Sequence, residues 1–117
     1  MASAMCDGLG TNGKIAVVTA GARGIGRAAA LLLARWGADV TAVDVDAEAL
    51  AGVAAEATAA GLRLHPCTSD VCDEAAVAGL FAGVAERHGR VDILVNAVGG
   101  GKPTPLDAID NAEWDRM

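Results

Sequence analysis

Residues Ile15 to Gly26 read IAVVTAGARGIG, and this stretch decides the fold. Ile15, Val17 and Val18 form a short, β-branched, nearly continuous apolar run, the pattern of a central parallel strand buried on both faces. The run breaks into Thr19-Ala20-Gly21-Ala22-Arg23-Gly24-Ile25-Gly26, and an alanine- and leucine-rich helical pattern follows at once. Strand, glycine-rich turn and helix in that order make a candidate dinucleotide site. Gly24 and Gly26 let backbone approach a pyrophosphate and let the helix pack close to the strand. The free N–H groups and positive dipole end of the helix would face the phosphates.

The rest of the chain continues the alternation. The first strand is expected over Lys14 to Thr19 and the first helix over Gly24 to Trp36, with Ile25, Ala29, Leu32 and Trp36 on its apolar face and Gly37 as its stop. A valine-rich second strand, Asp39 to Val45, leads through the N-cap Asp46 into a helix over Ala47 to Ala60, striped by Leu50, Val53, Ala54 and Ala57. Leu62 to Cys67 is a weaker third strand that Pro66 should end. A third helix spans Asp73 to His88 with Val77, Leu80, Phe81 and Val84 inward and Gly89 after it. Val91 to Asn96 is the fourth strand, Gly99 to Pro103 a loop, and Asn111 to Met117 the opening of a further helix. Trp36, Trp114 and Met117 read as packing residues.

Short connections and right-handed crossovers turn this βαβαβαβ pattern into a Rossmann-like, doubly wound α/β parallel sheet of four strands, order 3-2-1-4, truncated relative to a six-stranded dinucleotide fold. The first two helices should lie on one face and the third on the other. The turns after strands one and four then meet where the strand order reverses, and open α/β sheets bind ligands there. Residues 1–13 are expected as a flexible tail and 14–117 as a partial nucleotide-binding domain.

Composition narrows the alternatives. The chain is 53% hydrophobic with a net charge of −6 and no cluster of lysine or arginine, so neither nucleic acid nor an anionic membrane is an expected partner. No apolar run approaches the ~20 residues of a membrane span, and Met1 to Gly13 lacks the basic and apolar regions of a secretory signal. Cys6, Cys67 and Cys72 are odd in number and include no CxxC pair, and His65 and His88 lack ligand spacing to them. No disulfide framework or metal site is expected, and a reducing cytoplasm suits free thiols.

Candidate ligand contacts fall at the strand ends. Asp44 closes the second strand about 20 residues beyond the glycine turn, where an acid bonds the adenosine ribose hydroxyls and repels a 2′-phosphate, favouring NAD over NADP. The other reading is a solvated strand-end aspartate that helps start a helix, which Asp46 also can do; the glycine turn favours the ribose role. Arg23 points the other way, towards a 2′-phosphate, unless it is merely solvated. Asp70 is either an acceptor for the adenine amino group, with Val71 packed on the ring, or a helix cap. Asn96 either lines the cleft or ties neighbouring backbones together.

Taken together, these residues resemble the short-chain dehydrogenase/reductase family from Gly13 onward. Thr19 to Gly26 is similar to its TGxxxGxG turn, Asp70-Val71 to its adenine contact, and Asp92 to Gly99 to its strand-four segment ending in NNAG. Trp114-Asp115-Arg116 resembles the opening of its fourth long helix. Ala20 stands where the family has its first glycine, with Gly21 one place later, and Ala97-Val98 replace the middle of NNAG. The resemblance implies an NAD-dependent oxidoreductase acting on a small-molecule carbonyl/alcohol pair. Its cofactor contacts would be Gly21, Arg23, Gly24, Ile25, Gly26, Asp44, Asp70, Val71, Asn96 and Gly99.

The family's catalytic Tyr-x-x-x-Lys has no counterpart, since the sequence contains no tyrosine. No catalytic residue is carried over. Weak NAD binding by this chain alone, and oligomerisation only of a longer protein, are the corresponding expectations. A non-catalytic nucleotide-binding module or decayed gene product is the alternative. A different Rossmann enzyme such as a methyltransferase would share the acid after strand two but not the Thr19 to Gly26 pattern with Asn96.

Overall fold

The structure, a computed structural model, describes residues 10–99 and 103–117. The first part of the expected tail with Cys6, and the centre of the glycine loop at 100–102, lie outside the described residues. Strands β1 (Ile15–Thr19), β2 (Asp39–Asp44), β3 (Leu64–Thr68) and β4 (Ile93–Val95) alternate with helices α1 (Gly24–Arg35), α2 (Ala47–Ala59) and α3 (Glu74–His88). A 3-10 turn (Leu106–Ala108) and a short helix α4 (Asn111–Arg116) follow. The strands form one parallel sheet in the order β3-β2-β1-β4, as the alternation of periodicities implies.

All of β1 is buried, because helices cover both faces of the sheet. Side chains alternate across a strand. Ala16 and Val18 therefore join Val40, Ala42 and Leu64 on one face, under Ala30, Leu31 and Ala34 of α1 and Leu50, Val53 and Ala57 of α2. Ile15, Val17 and Val43 face the other way, under Leu80 and Val84 of α3. The first two helices thus share one side and the third takes the other.

Four sequence expectations are corrected. The buried face of α1 is Gly26, Ala30, Leu31 and Ala34, while Ile25 is 82% exposed and Leu32 also faces outward. Both faces of α1 carry apolar side chains, and the sheet takes the one whose alanines permit close approach. Pro66 does not end β3 but sits within it, opposite Ala42; β3 is an edge strand, where a residue without an N–H can be accommodated. β4 is only three residues long, so its unpaired edge is short. Trp114 and Met117 are exposed rather than packed. The end of the expected tail is anchored: the Thr11 hydroxyl donates to Trp36 O and the Gly13 amide to Gly37 O.

Capping explains where the helices begin. The Asp46 carboxylate accepts from the Ala49 amide at α2, and Asp73 accepts from Ala75 and Ala76 at α3. Each satisfies amides that lack an intrahelical partner. Helix α3 ends at Gly89, whose φ of 75° is left-handed.

At the amino-terminal end of the sheet, Asp92 clasps β4 to β1. Its Oδ2 accepts from the Ile15 amide at 2.8 Å and from Arg90 Nε at 2.9 Å. The Ile15 amide first, then Arg90, hold the Asp92 carboxyl below its ordinary value of 3.8. Because folding lowers this value, the ionised carboxylate's contribution to stability is intact above pH 3.8 and disappears as pH falls through the lowered folded value. Asp92→Asn should therefore lower the melting temperature at neutral pH and flatten the acid limb of the stability curve, measured by circular dichroism at a series of pH values.

Candidate functional site

The site grows out of the turn between β1 and α1. Gly21 donates its amide to Val43 O at 2.9 Å, seating the turn on the end of β2. A Cβ on Gly21 would come within 2.9 Å of the Ala42 methyl. At Gly26 the constraint is harsher, since a Cβ would lie 2.0 Å from Ala20 O and 3.0 Å from Thr19 O. The first turn of α1 rests directly on the turn backbone, so only glycine fits. Gly24 has a φ of +56° and no atom within 4 Å of where its Cβ would be. It leaves an open backbone surface.

Ala20, in the place of a glycine, keeps the left-handed conformation with φ 53°. The turn is retained and the alanine carries the strain. A left-handed L-residue costs about 1–2 kcal/mol, which outweighs the extra unfolded-state freedom of glycine, about 0.4–1 kcal/mol.

Helix α1 differs from its neighbours at its start. Arg23 occupies the N-cap position with no side-chain cap hydrogen bond, and no acidic residue lies in the first turn. Helices α2, α3 and α4 all begin with an aspartate that accepts from their amides. The amides of α1 are left for an anion, as a phosphate-binding turn requires.

Beside this turn the carboxyl ends of the strands form a pocket lined by Ala20, Val43, Asp44, Val45, Ser69, Asp70, Val71, Val98 and Gly99. It brings together four of the expected contacts: Asp44, Asp70, Val71 and Gly99. Asp44 Oδ2 accepts from the Ala22 amide at 3.2 Å and Oδ1 from the Asp46 amide at 3.0 Å. The carboxylate thus braces the glycine turn while facing the pocket. Asp70 is not the helix cap, a role taken by Asp73; its Oδ1 accepts from the Cys72 amide at 2.9 Å within the loop. The guanidinium of Arg23 is paired with Asp46. The Ala49 amide foremost, then Arg23, hold the Asp46 carboxyl low against a partial desolvation that raises it.

Asn96 lies in an adjoining groove with Thr19, Val77, Leu80, Phe81 and Leu94, sharing Val71 and Val98 with the pocket. The backbone tie considered for Asn96 belongs to Thr19. Its hydroxyl donates to Val95 O at 3.3 Å and accepts from the Ala97 amide at 3.1 Å. Gly21, Arg23, Gly24, Ile25 and Gly26 form the turn itself and do not line the pocket. Ser69, Val45 and Val98 are lining residues that sequence reasoning missed. Their positions next to Asp70, Asp44 and Gly99 were the available signal.

The arrangement fits an adenosine diphosphate group: amides for phosphate, an acid for ribose, and Asp70 with Val71 for a heterocycle. The family model of the short chain dehydrogenases matches residues 14–117. The chain is 38% identical over 106 residues to the 2,3-dihydro-2,3-dihydroxybenzoate dehydrogenase of Bacillus subtilis, covering 91% of this chain and 41% of that enzyme. Among solved structures, a hydroxysteroid dehydrogenase from Escherichia coli superposes with a TM-score of 0.82 at 35% identity, covering 91% of this chain and 45% of that one. A metagenomic short-chain oxidoreductase in complex with NADP gives 0.81 at 41% identity, covering 89% and 48%. The chain thus spans less than half the length of each.

Two substitutions test the turn. Ala20→Gly should raise stability by roughly 0.5–1 kcal/mol, the strain relieved less the entropy added. Gly26→Ala should lower it by about 3 kcal/mol, since the backbone beneath must shift. Urea denaturation measures both, and an unchanged midpoint for Ala20→Gly would remove the strain argument.

Proposed function

The chain belongs to the short-chain dehydrogenase family, and from that premise we propose that it is the cofactor-holding, amino-terminal part of an NAD-dependent oxidoreductase. The reaction is the interconversion of a small-molecule carbonyl and its alcohol. The observation that carries this reading is Asp44, which faces the pocket shared by Asp70 and Val71 and braces the glycine turn at Ala22.

The roles follow from the chemistry of each group. The uncapped amides of α1 and the open backbone at Gly24 take the pyrophosphate. Asp44 accepts from the adenosine ribose hydroxyls, and Asp70 and Val71 take the adenine. When bound, the nicotinamide supplies the hydride chemistry. Asp44 holds the ribose, and Val98 and Gly99 close the pocket on the β4 side. The acid–base group is not among these residues in the family's form, as the 117 residues contain no tyrosine.

Two features support NAD over NADP. Asp44 puts a carboxylate at the pocket, where a 2′-phosphate would be repelled. Arg23, the cation within the glycine turn, is already paired with Asp46. The proposed setting is the cytoplasm, with no nucleic-acid or membrane partner and a homo-oligomer only for a longer protein. The second reading is a nucleotide-binding module without catalysis. Reading the coding DNA in frame past Met117 separates the two: a serine followed by Tyr-x-x-x-Lys supports the enzyme, and a stop codon supports the module.

Calorimetric titration of the chain with NAD and with NADP tests the cofactor assignment. Absolute affinity should be weak, so the ratio is the readout, with NAD at least about tenfold tighter. Asp44→Asn should weaken NAD by about 10–100-fold, the worth of hydrogen bonds to a charged acceptor at about 1.5–3 kcal/mol. NADP binding as tight as NAD would overturn the assignment.

A further inference from the structure

Helix α3 covers the sheet unevenly. Its buried Leu80 and Val84 pack with Ile15 and Val17 of β1 and Val43 of β2, which leaves the outer strand β3 partly open on that side. Gly79 and Gly83 are four residues apart, hence on one flank of the helix, and they border the gap. A Cβ on Gly79 would meet nothing within 4 Å, and one on Gly83 only Arg87 Nη1 at 3.5 Å. A cavity of about 260 Å³ results, with Thr41, His65, Cys67 and Arg87 among its lining residues.

Two groups in this cavity lack a partner. Thr41 is 1% exposed, and its hydroxyl has no hydrogen-bond partner. Its neighbours Val40 and Ala42 pack under α1 and α2, so the alternation of side chains turns Thr41 towards α3 and the cavity. Buried hydroxyls are ordinarily satisfied, and this one points to a guest that brings a polar atom. Arg87 is the second group. Arg23, Arg27, Arg90 and Arg116 each pair with an acid, whereas Arg87 has no carboxylate partner among the described residues. The lining itself contains no acid; Asp39 stands outside it, held by His65 Nε2 at 3.0 Å. A cavity with a guanidinium and no carboxylate selects for anions.

We propose that Cys67 is a site of thiol–disulfide exchange with low-molecular-weight disulfides that carry carboxylates, of the glutathione disulfide class, held by Arg87 and the Thr41 hydroxyl. Cys67 is a free, half-buried thiol on the cavity wall. Its sulfur, as thiolate, attacks one sulfur of the disulfide. A bond forms between Cys67 Sγ and that sulfur, the disulfide's own S–S bond breaks, and the released thiolate takes up the proton that Cys67 gave up. Cys67 is oxidised and the departing half of the disulfide is reduced, so no further oxidant is needed. Cys72, the other described thiol, is exposed and does not line this cavity. The adduct would sit between α3 and β3, outside the nucleotide pocket, and its formation does not depend on the cofactor assignment.

The test uses the 117-residue chain with Cys6→Ser and Cys72→Ser, so that Cys67 is its only thiol. Oxidised glutathione, an anion, and cystamine, a cation, are compared by intact mass over time, in buffer and in urea, where the cavity is gone. The ratio of the glutathione rate to the cystamine rate should be at least about twofold higher in the folded chain than in urea, a difference that high salt removes. Arg87→Gln, at an exposed position, should cut the glutathione rate about 2–5-fold and spare the cystamine rate. Thr41→Val, its fold checked by circular dichroism, should lower the equilibrium constant of the glutathione adduct about 2–10-fold. A folded chain that takes no adduct would overturn the proposal. Equal ratios in buffer and urea, or a ratio untouched by Arg87→Gln, would overturn it too, leaving a thiol that is merely accessible. An adduct constant unchanged in Thr41→Val would remove the hydroxyl from the site.

Discussion

The contact between the first turn of α1 and the backbone of Ala20 sets the geometry of everything around it. With a glycine at 26, helix and turn stack with no side chain between them, and a Cβ there would meet Ala20 O at 2.0 Å. That closeness aims the amides of α1 over the end of β1. It also brings the Ala22 amide within reach of Asp44. A helix held even slightly further off would leave Asp44 without its turn partner and the pocket without one wall. The strain at Ala20 is tolerated because the flanking contacts, Gly21 to Val43 O and Gly26 on Ala20, leave the residue no other conformation.

Much of this was legible in the sequence, for identifiable reasons. Strand order followed from alternating periodicity and the handedness of crossovers, neither of which depends on side-chain detail. Asp46 as a cap and Gly89 as a stop were legible because such signals are local. The face of α1 was not, because Ile25 and Leu32 compete with an alanine face and hydrophobicity alone does not measure how closely a helix can approach a sheet. Pro66 misled because its exclusion from strands holds only where both edges are paired. The left-handed Ala20 was visible as a departure from a glycine pattern, but only the structure shows that the conformation survived the substitution.

The site residues divide the same way. Asp44, Asp70, Val71 and Gly99 come together in one pocket because each lies at or just beyond the end of a strand, and strand ends in a parallel sheet converge. The ion-paired side chains of Asp39, His65 and His88, outside that pocket, were not linked, because their spacing in the chain has no repeat. They meet only through strand register and the last turn of a helix.

In the proposed reading, Asp44 serves the fold and the ligand with one side chain. Its two oxygens take the amides of Ala22 and Asp46, yet each carboxylate oxygen has a second lone pair. Bracing the turn therefore does not exhaust the acceptor capacity that the proposed ribose contact needs. The same bonds fix the carboxylate's orientation before any ligand arrives, so less ordering entropy remains to be lost on binding. Arg23 follows the opposite logic. Its pairing with Asp46 holds the guanidinium at the helix cap, and drawing it to a 2′-phosphate would leave the cap carboxylate without its cation.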